Sequence, residues 1–172
     1  MIEWLKLRFN LKADPNYYEE YKLHVRDLTQ NEVVYSMQNF IQHGNTTCLE
    51  HSFYVSYISF LVCRHLGLDC RSAARGGLLH DLFLYDWHLT KHERGLHGFI
   101  HPYIALENAD RFFILNEMEK DIIVKHMWPL TIRLPKYRET LIVVLIDKYC
   151  AIMETLAIAN RAKVFRIIRE LA

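Results

Sequence analysis

A chain of 172 residues with 51% hydrophobic and 24% charged side chains has the length and composition of one globular domain with a sizeable core, which excludes the disordered and fibrous classes. Its 21 basic and 20 acidic residues leave a formal net charge of +1, which offers no footprint for a nucleic acid polymer and no pull toward an acidic membrane. No run approaches the ~18 uncharged apolar residues that span a bilayer. The four cysteines, Cys48, Cys63, Cys70 and Cys150, show no C-x-x-C or zinc-finger spacing, so they read as reduced thiols of a cytoplasmic protein.

The elements follow in chain order. The opening "MIEWLKLRFNLKADP" mixes Glu3, Lys6 and Arg8 with its apolar residues and has no small-residue cleavage site, so it is not a signal peptide. It reads as an arm docked on the domain, with a membrane-surface helix as the alternative; arm and first helix occupy residues 1–46. "TCLEHSFYVSYISFLVCRHLG" opens on Thr47 and Glu50 at capping-box spacing and stops at Gly67. Asp69 is an N-cap for a helix running to about His80. Pro102 suits the first turn of a helix over "HPYIALENADRFFI". Asn116 and Glu119 are a second cap and its partner, ahead of "MEKDIIVKHMW", which Pro129 ends. A long pattern then runs from Arg138 through "LIVVLIDKYCAIMETLAI", with a C-terminal helix over 158–172 that packs on the domain or on a second copy. Only the short "EWLKLRF" arm alternates at period two. The expectation is a single all-α domain over 1–172, with its core at about 47–157.

Several helices turn a polar group inward. At 100° per residue His51 lies in line with Val55, Ile58 and Val62, His126 shares a face with Ile122 and Ile123, and Asp147 one with Val143, Val144 and Ala151. His80 and Asp81 end the helix whose face carries Gly76 and Gly77, where two glycines imply close approach of a neighbouring helix. A lone core-facing histidine more often bonds a carbonyl than a metal, and a lone core aspartate is usually a cap or an ion-pair partner. The set shifts that balance: uncompensated groups of this kind cost several kcal/mol, and a shared cation removes the cost. His24 and His65 read as solvated, His43 as part of a turn before Gly44, and His88 and His92 as loop residues. His97 and His101 remain ambiguous, four residues apart before a helix.

The ordered set His51, His80-Asp81 and Asp147 resembles the HD-domain superfamily of metal-dependent phosphohydrolases. The surrounding "EHSFYVSYISFLVCRHLGLDCRSAARGGLLHD" is similar to that family's helix, turn and second helix over about 47–157. "HPYIALENA" and "DIIVKHMWPL" stand where subfamilies with two metals place further histidines, among them the bacterial enzymes that cleave diadenosine tetraphosphate. The resemblance implies an HD-type bundle in which His51, His80, Asp81 and Asp147 hold one ion, and Asp81 bridges to a second held by His101 and His126. His80 and Asp81 would be the catalytic pair. The HD-GYP cyclic dinucleotide enzymes carry a Gly-Tyr-Pro motif and a lysine just beyond the HD pair; here those places read "MWP" and Leu84, which argues against that substrate.

What the resemblance implies is hydrolysis of a phosphate ester or anhydride, of a nucleotide in the first instance, by a water held between two divalent ions. Mixed imidazole and carboxylate ligation suits iron or manganese, with zinc, nickel, cobalt or magnesium as alternatives. Lys125, Lys148 and Arg75 are candidates for phosphate oxygens or are ordinary surface cations. Trp87 and Trp128 either stack a nucleobase or pack the core, and the same choice holds for the whole "FLYDWH" segment. Two other readings stay open: a single-metal HD nucleotidase, and a non-catalytic domain that binds a nucleotide or a protein. The expected partner is a phosphate-bearing small molecule, with a homodimer as a further arrangement and neither nucleic acid nor membrane.

Overall fold

The computed structural model describes residues 15–90, 93 and 95–156. The expected N-terminal arm, His92 and the expected C-terminal helix over 158–172 lie outside the described residues. Seven α-helices and one short ribbon make up the described chain: α1 (Pro15–Thr29), α2 (Glu32–Tyr35), β1 (Ile41–His43), β2 (Thr46–Thr47), α3 (Cys48–His65), α4 (Cys70–Leu79), α5 (His97–Phe112), α6 (Glu117–Lys125) and α7 (Arg138–Thr155). The fold is all-α, as expected. No helix among the described residues is long and apolar enough to cross a membrane.

The caps lie where the sequence places them. Thr47 Oγ1 accepts from the Glu50 amide at 3.2 Å while the Thr47 amide donates to Glu50 Oε2 at 2.8 Å. Asn116 and Glu119 repeat this reciprocal pair at 2.8 and 3.1 Å, and Asp69 Oδ1 accepts from the Ser72 amide at 2.9 Å. Each such cap satisfies amides that a helix start leaves orphaned and contributes about 1 kcal/mol. After α3 the chain turns at Gly67, whose φ of +67° is open to glycine at little cost.

Two expectations need correction. Helix α5 starts at His97, not at Pro102, which sits inside it. The extra turn is held by contacts that propensity cannot see: the His97 ring stacks on Trp87 and on His101, with centroids 4.9 and 4.4 Å apart. Extended structure appears where no alternation announced it, since Ile41–His43 pairs antiparallel with Thr46–Thr47 around Gly44. Five residues of strand are too few to show as alternation.

Helix α4 is the centre of the packing. A Cβ on Gly77 would meet the Ser56 backbone of α3 at 3.0 Å, and one on Gly76 would meet Ile122 of α6 at 2.8 Å. The glycines are thus the price of burying α4 between two helices. Apolar side chains fill the space on both sides, Phe53, Phe60, Leu78 and Leu79 in one cluster, Val55, Ala73, Ile122 and Val143 in another. Each fully buried leucine or phenylalanine contributes ~1.5–3 kcal/mol. Arg75 of α4, only 2% exposed, ties α4 to α6 by donating from Nε to Glu119 Oε1 at 2.8 Å. Helices α4 and α6 both end at one place, with His80 and His126 as their C-terminal caps.

Candidate metal centre

At that place six side chains converge: His51, His80, Asp81, His101, His126 and Asp147, all buried. His51 comes from the first turn of α3, His101 from α5 and Asp147 from the middle of α7. The Asp81 carboxylate lies between two groups. Its Oδ2 is 3.1 Å from His80 Nε2 and 3.8 Å from His51 Nε2, while its Oδ1 is 3.3 Å from His101 Nε2 and 3.5 Å from His126 Nε2. Asp147 Oδ1 completes the first group, 3.0 Å from His51 Nε2 and 3.7 Å from His80 Nε2.

The opposite edges of the four imidazoles are all taken. Nδ1 donates to the carbonyls of Gly77, His97 and Ile123 from His80, His101 and His126, each at 2.8 Å, and to Glu154 Oε2 from His51 at 2.9 Å. An acceptor at Nδ1 holds a proton there, so Nε2 is the nitrogen turned to the centre, with a lone pair once a cation displaces any proton it carries. Hydrogen bonds of this kind on the outer nitrogen fix the ring orientation of metal-binding histidines.

The residues fit a cation by three further observations. His80 Nε2 and Asp81 Oδ1 are buried without a hydrogen-bond partner, a costly state for polar atoms. His101 Nε2 and His126 Nε2 stand 2.7 Å apart with both Nδ1 atoms on carbonyls, so two inward nitrogens face each other, a contact that a cation bound by both would relieve. The protonation pattern also supplies positive charge where an ion would. Burial pulls imidazoles down, yet Asp81 and Asp147 hold His80 up at about 9, and Glu154 and Asp147 hold His51 well above the ordinary range. Burial would raise the carboxyls, but His80 and His101 keep Asp81 well below its usual range and His51 and His80 do the same for Asp147. His126 goes the other way, pushed well below by burial and by its neighbours His101 and His80. The buried His and Asp groups His51–His80–Asp81 and Asp81–His101–His126 can each hold a metal ion.

Around the centre the remaining candidates divide. Lys148 is at the site: its ammonium donates to Asp147 Oδ2 at 2.8 Å and to the His126 carbonyl at 3.1 Å, and it is 36% exposed. Two other cations proposed for phosphate are held elsewhere. Lys125 is paired with Asp121 at 2.5 Å, and Arg75 is locked between Glu119 and Asp27, on a cleft of about 500 Å³ at the far ends of α4 and α6. Trp87 stacks on His97, as described, and lies 3.8 Å from the His88 ring, so imidazoles already occupy its neighbourhood; Tyr85 Oη is 2.8 Å from His97 Nδ1. Trp128 is half-buried in the turn after α6 and makes its backbone hydrogen bond to Lys125.

Three participants were not foreseen. Gln42 Nε2 donates to Asp81 Oδ2 at 2.5 Å, and the His43 ring lies 5.3 Å from that of His51, edge to face. The ribbon that carries them gives too short a pattern to announce itself. Glu154 backs His51, and it had a signal: it follows Asp147 by seven residues, on the same face of α7.

No protein-family description, no curated protein and no solved structure matches the chain.

Proposed function

We propose that the chain is an HD-type phosphohydrolase that works with two divalent ions on a phosphate ester or anhydride, a nucleotide in the first instance. The observation that carries this reading is Asp81, whose two oxygens face two separate imidazole groups, each with its Nε2 atoms turned inward. His51, His80 and Asp147 would hold one ion, His101 and His126 the other, and Asp81 both. The two-ion version is preferred over the single-metal nucleotidase because Asp81, His101 and His126 are themselves grouped closely enough to hold an ion. The donor set has imidazole and carboxylate but no thiolate, which suits iron or manganese. Bound divalent ions supply Lewis acidity, lowering the pKa of water and neutralising phosphoryl charge.

The protein's own share is positional. Gln42 fixes the bridging carboxylate, and the four Nδ1 hydrogen bonds fix the rings, so the ligands are ordered before an ion or substrate arrives. Lys148 offers a partly exposed ammonium beside Asp147, placed to donate a hydrogen bond to a phosphoryl oxygen. His43 and His97, half-buried, lie beside His51 and His101. Burial and the adjacent His51 push His43 below its ordinary value, and burial with His101 takes His97 to about 4. Both are therefore neutral hydrogen-bonding groups at neutral pH.

Metal analysis by mass spectrometry, on protein purified without chelator or metal-affinity resin, tests the reading. Two equivalents per chain, followed by release of phosphate from a nucleotide panel, are expected. No ion after incubation with manganese and iron(II) would refute it.

A further inference from the structure

Three of the four inward-facing histidines rest their Nδ1 on backbone carbonyls, those of Gly77, His97 and Ile123. His51 alone rests on a carboxylate, that of Glu154. Glu154 is 6% exposed, and among the described residues His51 is its only hydrogen-bond partner. A carboxylate in so dry a place has one use for its charge. A carbonyl orients an imidazole; a carboxylate orients it and also makes it a stronger donor, while adding a full negative charge behind the bound cation.

The charges are unequal across the bridge. Asp81 is shared, but Asp147 and Glu154 both stand on the His51 side, and among the described residues no carboxylate of its own stands on the His101–His126 side. Lys148 offsets part of the Asp147 charge and leaves that of Glu154 untouched. The position of Glu154 is also fixed from behind. Gly44, at φ +57°, lies so close that a Cβ there would meet the Glu154 carbonyl oxygen at 3.2 Å. The ribbon that sends Gln42 to Asp81 thus also seats the end of α7.

We infer that Glu154 is a positioning residue for His51, and that it makes the His51–His80–Asp147 half of the centre the tight half, which fills before the His101–His126 half. This rests on the two-ion reading above. One rival arrangement has a different signature: His43, His51 and Glu154 lie close enough together to hold an ion themselves, which would make Glu154 a ligand.

The test is a titration of the full chain, stripped with chelator and desalted, with Mn²⁺ alone, followed by calorimetry and by bound-metal analysis at graded free Mn²⁺. The wild type is expected to take two equivalents in two resolved steps. Glu154→Gln keeps the shape and an acceptor oxygen but removes the charge; it should weaken the tighter step 10–100-fold and leave the weaker step in place. His43→Ala should not remove an equivalent, because His43 is not a ligand in this arrangement. Glu154→Asp, which keeps the charge on a shorter stem, should recover part of the loss and serves if the glutamine variant does not fold. Steps in Glu154→Gln that match the wild type, or that weaken equally, overturn the inference while the two-ion reading stands. A third equivalent lost in both Glu154→Gln and His43→Ala overturns it in favour of a ligand role. A wild type that takes up no Mn²⁺ overturns both.

Discussion

Without a metal ion, the protein's stability should fall as pH rises through the alkaline side of neutrality. In the metal-free chain burial works against a charged imidazole, but Asp81 and Asp147 outweigh it and carry His80 from its ordinary 6.5 to about 9. A folded-state pKa above the unfolded one means that the stabilisation is complete below pH 6.5 and is lost as pH rises through 9. A displacement of that size corresponds to about 3 kcal/mol, and His51, raised against burial by Glu154 and Asp147, adds in the same direction. At roughly 2–4 °C per kcal/mol for a chain of this length, the melting temperature should fall by about 6–12 °C over the whole titration. Urea unfolding and thermal melts with chelator present, from pH 7.5 to pH 8.5, follow its steep part, about 2–5 °C; below pH 7 the lowered values of His43, His97 and His126 act with the opposite sign. That window stays below the range in which Cys48 and Cys150, pushed up by burial, add a loss of their own. It also stays above the range of Asp81 and Asp147, whose lowered values act only in acid. His80→Gln should flatten the profile, and saturating Mn²⁺ should reverse its slope, because ligation needs Nε2 unprotonated and is favoured as pH rises. Metal-free stability that is level or rising across this window would refute the buried proton on His80.

Three further outcomes are expected. His126→Ala should remove one of two metal equivalents and nearly all phosphate release; metal content equal to the wild type would favour a single-ion centre. Lys148→Met should leave bound metal unchanged at saturation and lower kcat/KM for a phosphate substrate by ~10–100-fold, the range expected when a charge-assisted hydrogen bond is lost. Gly76→Ala should cost about 1–2 kcal/mol in urea unfolding, because the strain of a Cβ at 2.8 Å from Ile122 exceeds the helix propensity gained. Ile122→Ala in the same chain should recover part of that, and additive losses would deny the contact.

What was legible in the sequence was whatever a helix repeats or caps. Thr47–Glu50, Asp69 and Asn116–Glu119 announced three helix starts by residue type and spacing alone. His51 and Asp147 showed themselves because each breaks an apolar face at a turn-by-turn spacing, and Gly76–Gly77 because helices do not otherwise spend two glycines. Their convergence was not legible from periodicity, which fixes a face but not what meets it; it came only from the family resemblance. The start of α5 was missed because ring stacking on Trp87 and His101 decides it. Gln42 and His43 were missed because a ribbon of five residues has no period to detect. Arg75 and Lys125 stayed open between phosphate contact and an ordinary surface cation because a sequence shows a charge without its counter-ion; Glu119, Asp27 and Asp121 supply those counter-ions from other turns and other helices.

The helix directions give the centre a logic that no single residue carries. The C-terminal end of a helix bears about half a negative charge, and the N-terminal end the reverse. Helices α4 and α6 bring their C-terminal ends to the cluster, so His80 and His126 sit in a potential that already favours a cation. His51 arrives differently, as the fourth residue of α3, where the exposed amides of the first turn oppose positive charge. A carboxylate behind that ring is the direct remedy, and Glu154 stands there, in the last turn of α7, where the dipole again has the right sign. His101 enters as the fifth residue of α5 and has only the His97 carbonyl behind it. The half of the centre that contains His101 is therefore the one with least negative potential of its own, and it depends most on the shared Asp81. The helix ends alone weigh alike on the two halves, each with one histidine at a C-terminal end and one near an N-terminal end, so the order of filling rests on the carboxylates of Asp147 and Glu154.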